Sequence, residues 1–269
     1  MDTVLPDAGE TAALAEGELS LRGRILPASN RTYLGAAVLD GVSVECVYKP
    51  VAGERPLWDF PDGTLAAREV AAYAVSEALG WAVVPLTVLR QGPLGPGMVQ
   101  RWQEPDPEQD PVDLVPVGEV PAGFLHVLDA VDGEGSPISL VHEDAAPLRR
   151  MAVFDALVNN ADRKGGHVLA MGGGHRYGVD HGVCFHTEPK LRTVLWGWAD
   201  LPVHPEDAAT VEGLLDRLAT AADPLVATLG ALLDGAEVSA LAARCDRLLR
   251  RGRMPVPSGE WPAIPWPAF

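Results

Sequence analysis

Asp162 and Asp180 are the residues of this chain whose setting suggests chemistry. Both lie in Phe154–Phe185, FDALVNNADRKGGHVLAMGGGHRYGVDHGVCF. Asp162 follows the apolar run FDALVNN, and Asp180 ends the strand-like Tyr177–Val179. Gly172–Gly174, between HVLAM and YGVD, reads as the bend of a hairpin. Carboxylates carried at the ends of paired strands converge on one point, and a metal-bound phosphate suits such a point. The same region holds His167, His175 and His181, and His186 follows directly, together four of the seven histidines. Together with Asp180 these imidazoles also fit a zinc- or manganese-dependent hydrolase, although no two of them have the i, i+4 helical spacing.

The elements that must position these acids begin with a meander. Leu19–Leu26, Tyr33–Leu39 and Val42–Tyr48 alternate as strands, joined by the turn Ala28–Thr32 and by Asp40-Gly41. Lys49 ends the third strand. It is one of only three lysines, with Lys164 and Lys190, which makes its position informative. Thr64 reads as the N-cap of a helix whose stripe is Leu65, Val70, Tyr73, Ala74 and Leu79, with Gly80 as its stop. Glu69, one turn inside, is placed to reach back to Lys49. Trp81–Leu89 and Gly97–Trp102 read as two further strands.

The chain changes character at Glu104. Glu104–Val120 is rich in Pro, Asp and Glu and reads as irregular. A short apolar segment, Gly123–Ala130, and a turn-rich Asp132–Pro137 follow. Ala145–Val158 reads as the helix that delivers the chain to Asp162. Pro205–Asp234 and Ala236–Arg250 read as two amphipathic helices, and Pro255–Phe269 as an extended strap.

Asn160-Ala161-Asp162-Arg163, with His167 beyond a short spacer, resembles the catalytic loop of the phosphatidylinositol 3-/4-kinase-like superfamily. Val179-Asp180-His181-Gly182 resembles the metal-binding loop that follows it there. Lys49-Pro50, Glu54-Arg55-Pro56 and Arg68-Glu69-Val70-Ala71-Ala72-Tyr73 resemble type II phosphatidylinositol 4-kinases in order and spacing, and HipA-like kinases are comparably similar. The resemblance covers roughly residues 20–200. It implies an α+β, two-lobed protein-kinase-like fold: a β-rich N-lobe with one main helix over residues 1–103, and a largely helical C-lobe over 104–269. It implies ATP with Mg or Mn as cofactors. Asp162 is then the catalytic acid–base, and Lys49 held by Glu69 neutralises the phosphates. Ser29, Asn30 and Thr32 lie over those phosphates in a turn that lacks the usual glycines. The backbone of Val99, Gln100, Arg101 and Trp102 forms the adenine-binding hinge. Asp180 holds the metal, and His167 stands where a metal-binding Asn is usual. That departure bears on metal identity, because imidazole suits manganese better than magnesium.

Composition narrows the partners. The 269 residues carry a formal charge of −16, which disfavours nucleic acid and anionic membrane. The type II lipid enzymes' cysteine cluster is missing, so a soluble protein or small-molecule hydroxyl is the expected acceptor, with no stable membrane association. No apolar run reaches the roughly 18–20 residues of a membrane span. The N-terminus is acidic, unlike a signal or transit peptide. Three scattered cysteines fit thiols in a reducing cytoplasm. Three functions therefore stand: an ATP-dependent phosphotransferase (AMP transfer being a smaller branch), a catalytically weak nucleotide-binding pseudokinase, and a metal-dependent hydrolase built on the histidines.

Overall fold

Alternating apolar residues build the first sheet, because successive side chains on a strand point to opposite faces. The computed structural model describes residues 7–26 and 29–269, so the first six residues and the centre of the first turn, including Ala28, lie outside the described residues. Strands β1 (Glu18–Arg24), β2 (Tyr33–Leu39), β3 (Val42–Pro50), β4 (Thr87–Gly92) and β5 (Gly95–Arg101) pair antiparallel in the order β1-β2-β3-β5-β4. Asp40 and Gly41 close the β2–β3 hairpin with φ of 48° and 83°, the left-handed pair that a two-residue turn requires.

Helix α1 (Ala8–Glu16) covers one face of the sheet, burying Ala13 and Leu14 against Val44, Cys46 and Tyr48. Its N-terminus is capped by the Asp7 carboxylate. Lys49 follows Tyr48 and so faces the other way, towards α2 (Leu65–Leu79). Gly80 ends α2 in the left-handed conformation at φ 65°. Its start differs from the expected Thr64 cap. The Thr64 hydroxyl bonds the Pro61 carbonyl instead, and the Glu54 carboxylate accepts from the amides of Leu65 (3.1 Å) and Ala66 (2.8 Å).

Beyond Arg101 the chain leaves this sheet. The segment expected to be irregular contains β6 (Val112–Pro116), which joins β7 (Phe124–Val131) and β8 (Pro137–Glu143) in a second antiparallel sheet ordered β6-β8-β7. Helix α3 (Ala146–Val158) then leads to the hairpin of β9 (Val168–Ala170) and β10 (Arg176–Gly178), which bends at Gly172–Gly174. Three helices follow, α4 (Pro205–Ala219), α5 (Pro224–Leu232) and α6 (Gly235–Arg251). The first two replace the single helix expected over 205–234. Asp223 caps a new helix there and Pro224 cannot continue an old one. The main core packs Val75 and Leu79 of α2 against Phe154 and Leu157 of α3, Leu214 of α4, Leu229 of α5 and Leu241 of α6.

The fold is thus α+β, a five-stranded sheet with one main helix followed by a largely helical second part to which two small sheets are added. Past Met254 the chain runs without helix or strand. The Ala263 carbonyl accepts from the Thr193 amide, and the Ala268 carbonyl from the Gly165 amide. Cys46, Cys184 and Cys245 are buried free thiols. Among the described residues no helix is long and apolar enough to cross a membrane.

Glu54, eleven residues upstream, caps α2 in place of Thr64, so Glu54→Ala should cost about 1 kcal/mol and Thr64→Ala less. Urea unfolding of both variants checks the order, and a larger loss for Thr64→Ala would contradict it.

Candidate active site

The first link of the site is between β3 and α2. Lys49 Nζ lies 2.6 Å from Glu69 Oε1 and 2.7 Å from Asp180 Oδ1. Glu69 is only 2% exposed, and its second oxygen accepts the His181 amide at 3.0 Å. One carboxylate therefore orients the lysine and also holds the loop that carries Asp180. Burial by itself would lower the Lys49 pKa, but the Asp180 and Glu69 carboxylates reverse this and hold it above the ordinary lysine range. Lys49 in turn holds the Asp180 carboxyl well below the usual carboxylate range, against the effect of burial. Asp180 adopts φ 63°, a left-handed conformation uncommon for residues other than glycine and concentrated at functional sites.

The second link is wholly buried. Helix α3 places Asp155 inward, and its carboxylate takes Nε and Nη2 of Arg163, both at 2.8 Å. Both side chains are 0% exposed. Asp155 also accepts from Asn160 Nδ2 at 3.0 Å, while Asn160 Oδ1 accepts the Asp162 amide at 3.0 Å. The remaining Arg163 donors reach the carbonyls of His167 (3.2 Å) and Val179 (3.1 Å), and His181 Nε2 (2.6 Å). Gly178 has to be glycine here, since a Cβ would lie 2.8 Å from the Arg163 guanidinium. In the sequence Asp155 is marked only as an acid at i+4 from Met151 and three before Val158, on a face that is otherwise apolar.

Asp162 stands at the mouth of this arrangement, 3.5 Å from Lys164 Nζ. Burial raises its pKa, with Asp180 adding to the rise and Lys164 opposing it. His167 Nδ1 lies 3.0 Å from the Asp162 carbonyl. A carbonyl only accepts, so Nδ1 carries the proton and Nε2 presents its lone pair, 3.5 Å from Asp180 Oδ2. This is the tautomer of a metal-ligating imidazole, whose other nitrogen donates to a carbonyl. Burial pulls the His167 pKa down to about 4.

The other expected residues divide. Thr32 Oγ1 donates to the Asn30 carbonyl, and Asn30 Oδ1 accepts the Arg55 amide at 2.9 Å. Their side chains are engaged internally, whereas Ser29 is exposed. The hinge expectation needs correction. β5 is a central strand, with Val99 and Gln100 paired to both β3 and β4. The amides of Arg101 and Trp102 are taken by the Leu86 and Glu45 carbonyls.

The histidines do not gather. His175 bonds the Ala82 carbonyl, His181 is buried against Arg163, and the His186 ring packs edge-on to Phe60. Among the described residues no group of three or more His, Cys, Asp or Glu side chains converges as a metal site. This removes the geometric basis of the hydrolase reading. A buried Arg68 ties α2 across the site, donating to the Cys184 carbonyl at 2.7 Å and pairing with Glu237 of α6.

No protein-family model matches the chain. It is 52% identical over 269 aligned residues to Protein Rv2133c of Mycobacterium tuberculosis (strain ATCC 25618 / H37Rv), covering 97% of this chain and 95% of that protein. Among solved structures, the crystal structure of the Helicobacter pylori proinflammatory kinase CtkA aligns over 90% of this chain and 94% of its own. The TM-score is 0.46 and the identity 10%. That likeness is too low to assign anything by itself.

With its pKa near 4 in the fold against 6.5 for an unperturbed histidine, His167 stays neutral and favours the folded state above pH 6.5. Its contribution is lost as pH falls towards 4, because only the unfolded chain takes up the proton. Relative to His167→Asn, the wild type should therefore lose up to about 3 kcal/mol between pH 6.5 and 4. Denaturant titrations of both proteins across that range test this, and a pH-independent difference would contradict it.

Proposed function

We propose that this chain, which belongs to the family of the mycobacterial Protein Rv2133c, is an ATP-dependent phosphotransferase of the phosphatidylinositol 3-/4-kinase-like type. The observation that carries the reading is the position of Lys49, 2.6 Å from Glu69 and 2.7 Å from Asp180, with the His167 lone pair facing the same Asp180. Phosphoryl transfer needs positioning and neutralisation of charge more than covalent chemistry. This cluster offers one cation tethered to a helix and one ionised carboxylate beside it.

Each residue has a distinct part. Lys49, fixed by Glu69, pairs with the non-reacting phosphates. Asp180 and His167 would hold a divalent cation, which would supply positive charge against the phosphate oxygens. The imidazole favours manganese over magnesium. Asp162, with its pKa raised, accepts the proton of an acceptor hydroxyl as that oxygen bonds to the γ-phosphorus and the bond to the ADP oxygen breaks. Ser29 lies at the phosphate turn, and Gln103 or Glu104 supplies the backbone amide for the purine. The lobes divide near residue 103, and the nucleotide lies between them.

The chain's negative charge and free thiols support a cytoplasmic protein acting on a soluble protein or small-molecule hydroxyl. A second reading, nucleotide binding without turnover, is favoured by one observation: Asn30 and Thr32 are engaged internally and not open to phosphate.

Incubation with ATP labelled at either the γ or the α phosphate decides among these readings. Wild type with manganese should move the γ label to itself, to water or to an acceptor, and Asp162→Asn should slow this by about 10²-fold or more. Movement of the α label instead would indicate AMP transfer. Binding without movement of either label would select the non-catalytic module.

A further inference from the structure

A cavity lined by none of Lys49, Glu69, Asp162, His167 or Asp180 lies against α6. It encloses about 520 Å³ between the C-terminal end of α3, the segment following Phe185, one face of α6 and the strap beyond Met254. Arg244, Arg247, Arg251 and Arg253 line it, with Trp196 and Trp261 among its apolar walls. No Asp or Glu lines it, in a chain whose formal charge is −16. Four guanidiniums without a carboxylate among them, set in a concave surface, are out of character with the rest of this protein. Arg253 pairs with Asp200 outside the wall at 2.8 Å, but Arg244 meets only neutral partners, the carbonyls of Leu157 (2.6 Å) and His186 (3.2 Å).

Two donors in this lining are shielded from water without a hydrogen-bond partner: Arg244 Nη2 and Trp261 Nε1. Buried donors are ordinarily paired, so an orphaned pair on one cavity points to an acceptor that the protein itself does not provide. Burial also pulls the Arg244 pKa down to about 10. None of Lys49, Glu69, Asp162 or Asp180 lines the cavity.

We infer that this cavity binds a small phosphorylated molecule, its phosphate held by the α6 arginines and its apolar body against the two tryptophans. The volume falls in the range of about 300–1,000 Å³ typical of small-molecule sites. Arg244, Arg247 and Arg251 follow one another at i, i+3 and i+7, so their forks line one face of the helix. A phosphate, with three oxygens and a charge of about −1.5 to −2, satisfies several forks, whereas one carboxylate satisfies a single fork. The inference does not rest on the phosphotransferase reading, since the two sites share no residue.

The test is an NMR titration that follows the indole N–H signals of Trp196 and Trp261, assigned by single Trp→Phe variants. The probes are phenyl phosphate, inorganic phosphate and phenol at matched ionic strength. Phenyl phosphate should shift both signals saturably, inorganic phosphate more weakly, and phenol not at all. The double variant Arg247→Ala/Arg251→Ala changes exposed side chains, so its folding can be verified independently. It should weaken phenyl phosphate by at least about tenfold. Lys49→Met should leave that affinity unchanged. Absence of a saturable shift in the wild type would overturn the inference, as would indifference to the arginine substitutions. Loss of the shift in Lys49→Met would also overturn it, by placing the probe at the nucleotide site.

Discussion

The buried pair of Asp155 and Arg163 is the constraint on which the site depends. Neither side chain reaches water, so each charge must be met inside the protein. Arg163 is satisfied only if α3, the His167 loop, the end of β10 and His181 are all within reach of one planar guanidinium. Groups from Asp155, His167, Val179 and His181 are thereby fixed to a single guanidinium. Such a pair contributes little net stability, because desolvation offsets its attraction, yet losing either partner leaves a charge stranded at a cost of about 3–5 kcal/mol. It specifies geometry more than it adds stability.

Glu69 extends the same logic to the first sheet. With one oxygen on Lys49 and the other on the His181 amide, it joins α2 to the loop that Arg163 already holds. Arg68, its neighbour in sequence, carries the connection on to Cys184 and Glu237. Lys49 therefore meets Asp180 through a rigid chain of contacts, and the left-handed Asp180 is kept in place by its surroundings. Asp180 and Asp162, whose side chains keep 46% and 31% of their surface, and the Nε2 lone pair of His167 are the groups left open to a ligand.

Much of this was legible in the sequence because it is local or strongly patterned. The alternation of Tyr33–Leu39, the Asp40-Gly41 turn and the stripe of α2 gave their elements nearly to the residue. Lys49, Glu69, Asp162 and Asp180 stood out by spacing, and the structure brings the first two and Asp180 within 2.7 Å. What was missed depends on partners distant in sequence. The cap from Glu54 reaches across eleven residues. Strands β6 and β8 are held by pairing with each other, and their Pro- and Asp-rich flanks obscure them. The hinge was misplaced because nothing local reveals that β5 lies between two neighbours and has no free amides. The four histidines look like a cluster only along the chain, since each turns to a different partner.

The central claim is that Lys49, Asp180 and His167 form a site for a metal-bound nucleotide. The most direct test is thermal unfolding with ATP and ADP, each with magnesium or manganese, for wild type and Asp180→Asn. A ligand at about a hundredfold its dissociation constant adds roughly 2.7 kcal/mol of stability. The account predicts a metal-dependent rise in Tm with ATP, larger with manganese, that disappears in Asp180→Asn. No rise with any nucleotide, or one that Asp180→Asn leaves intact, would contradict it.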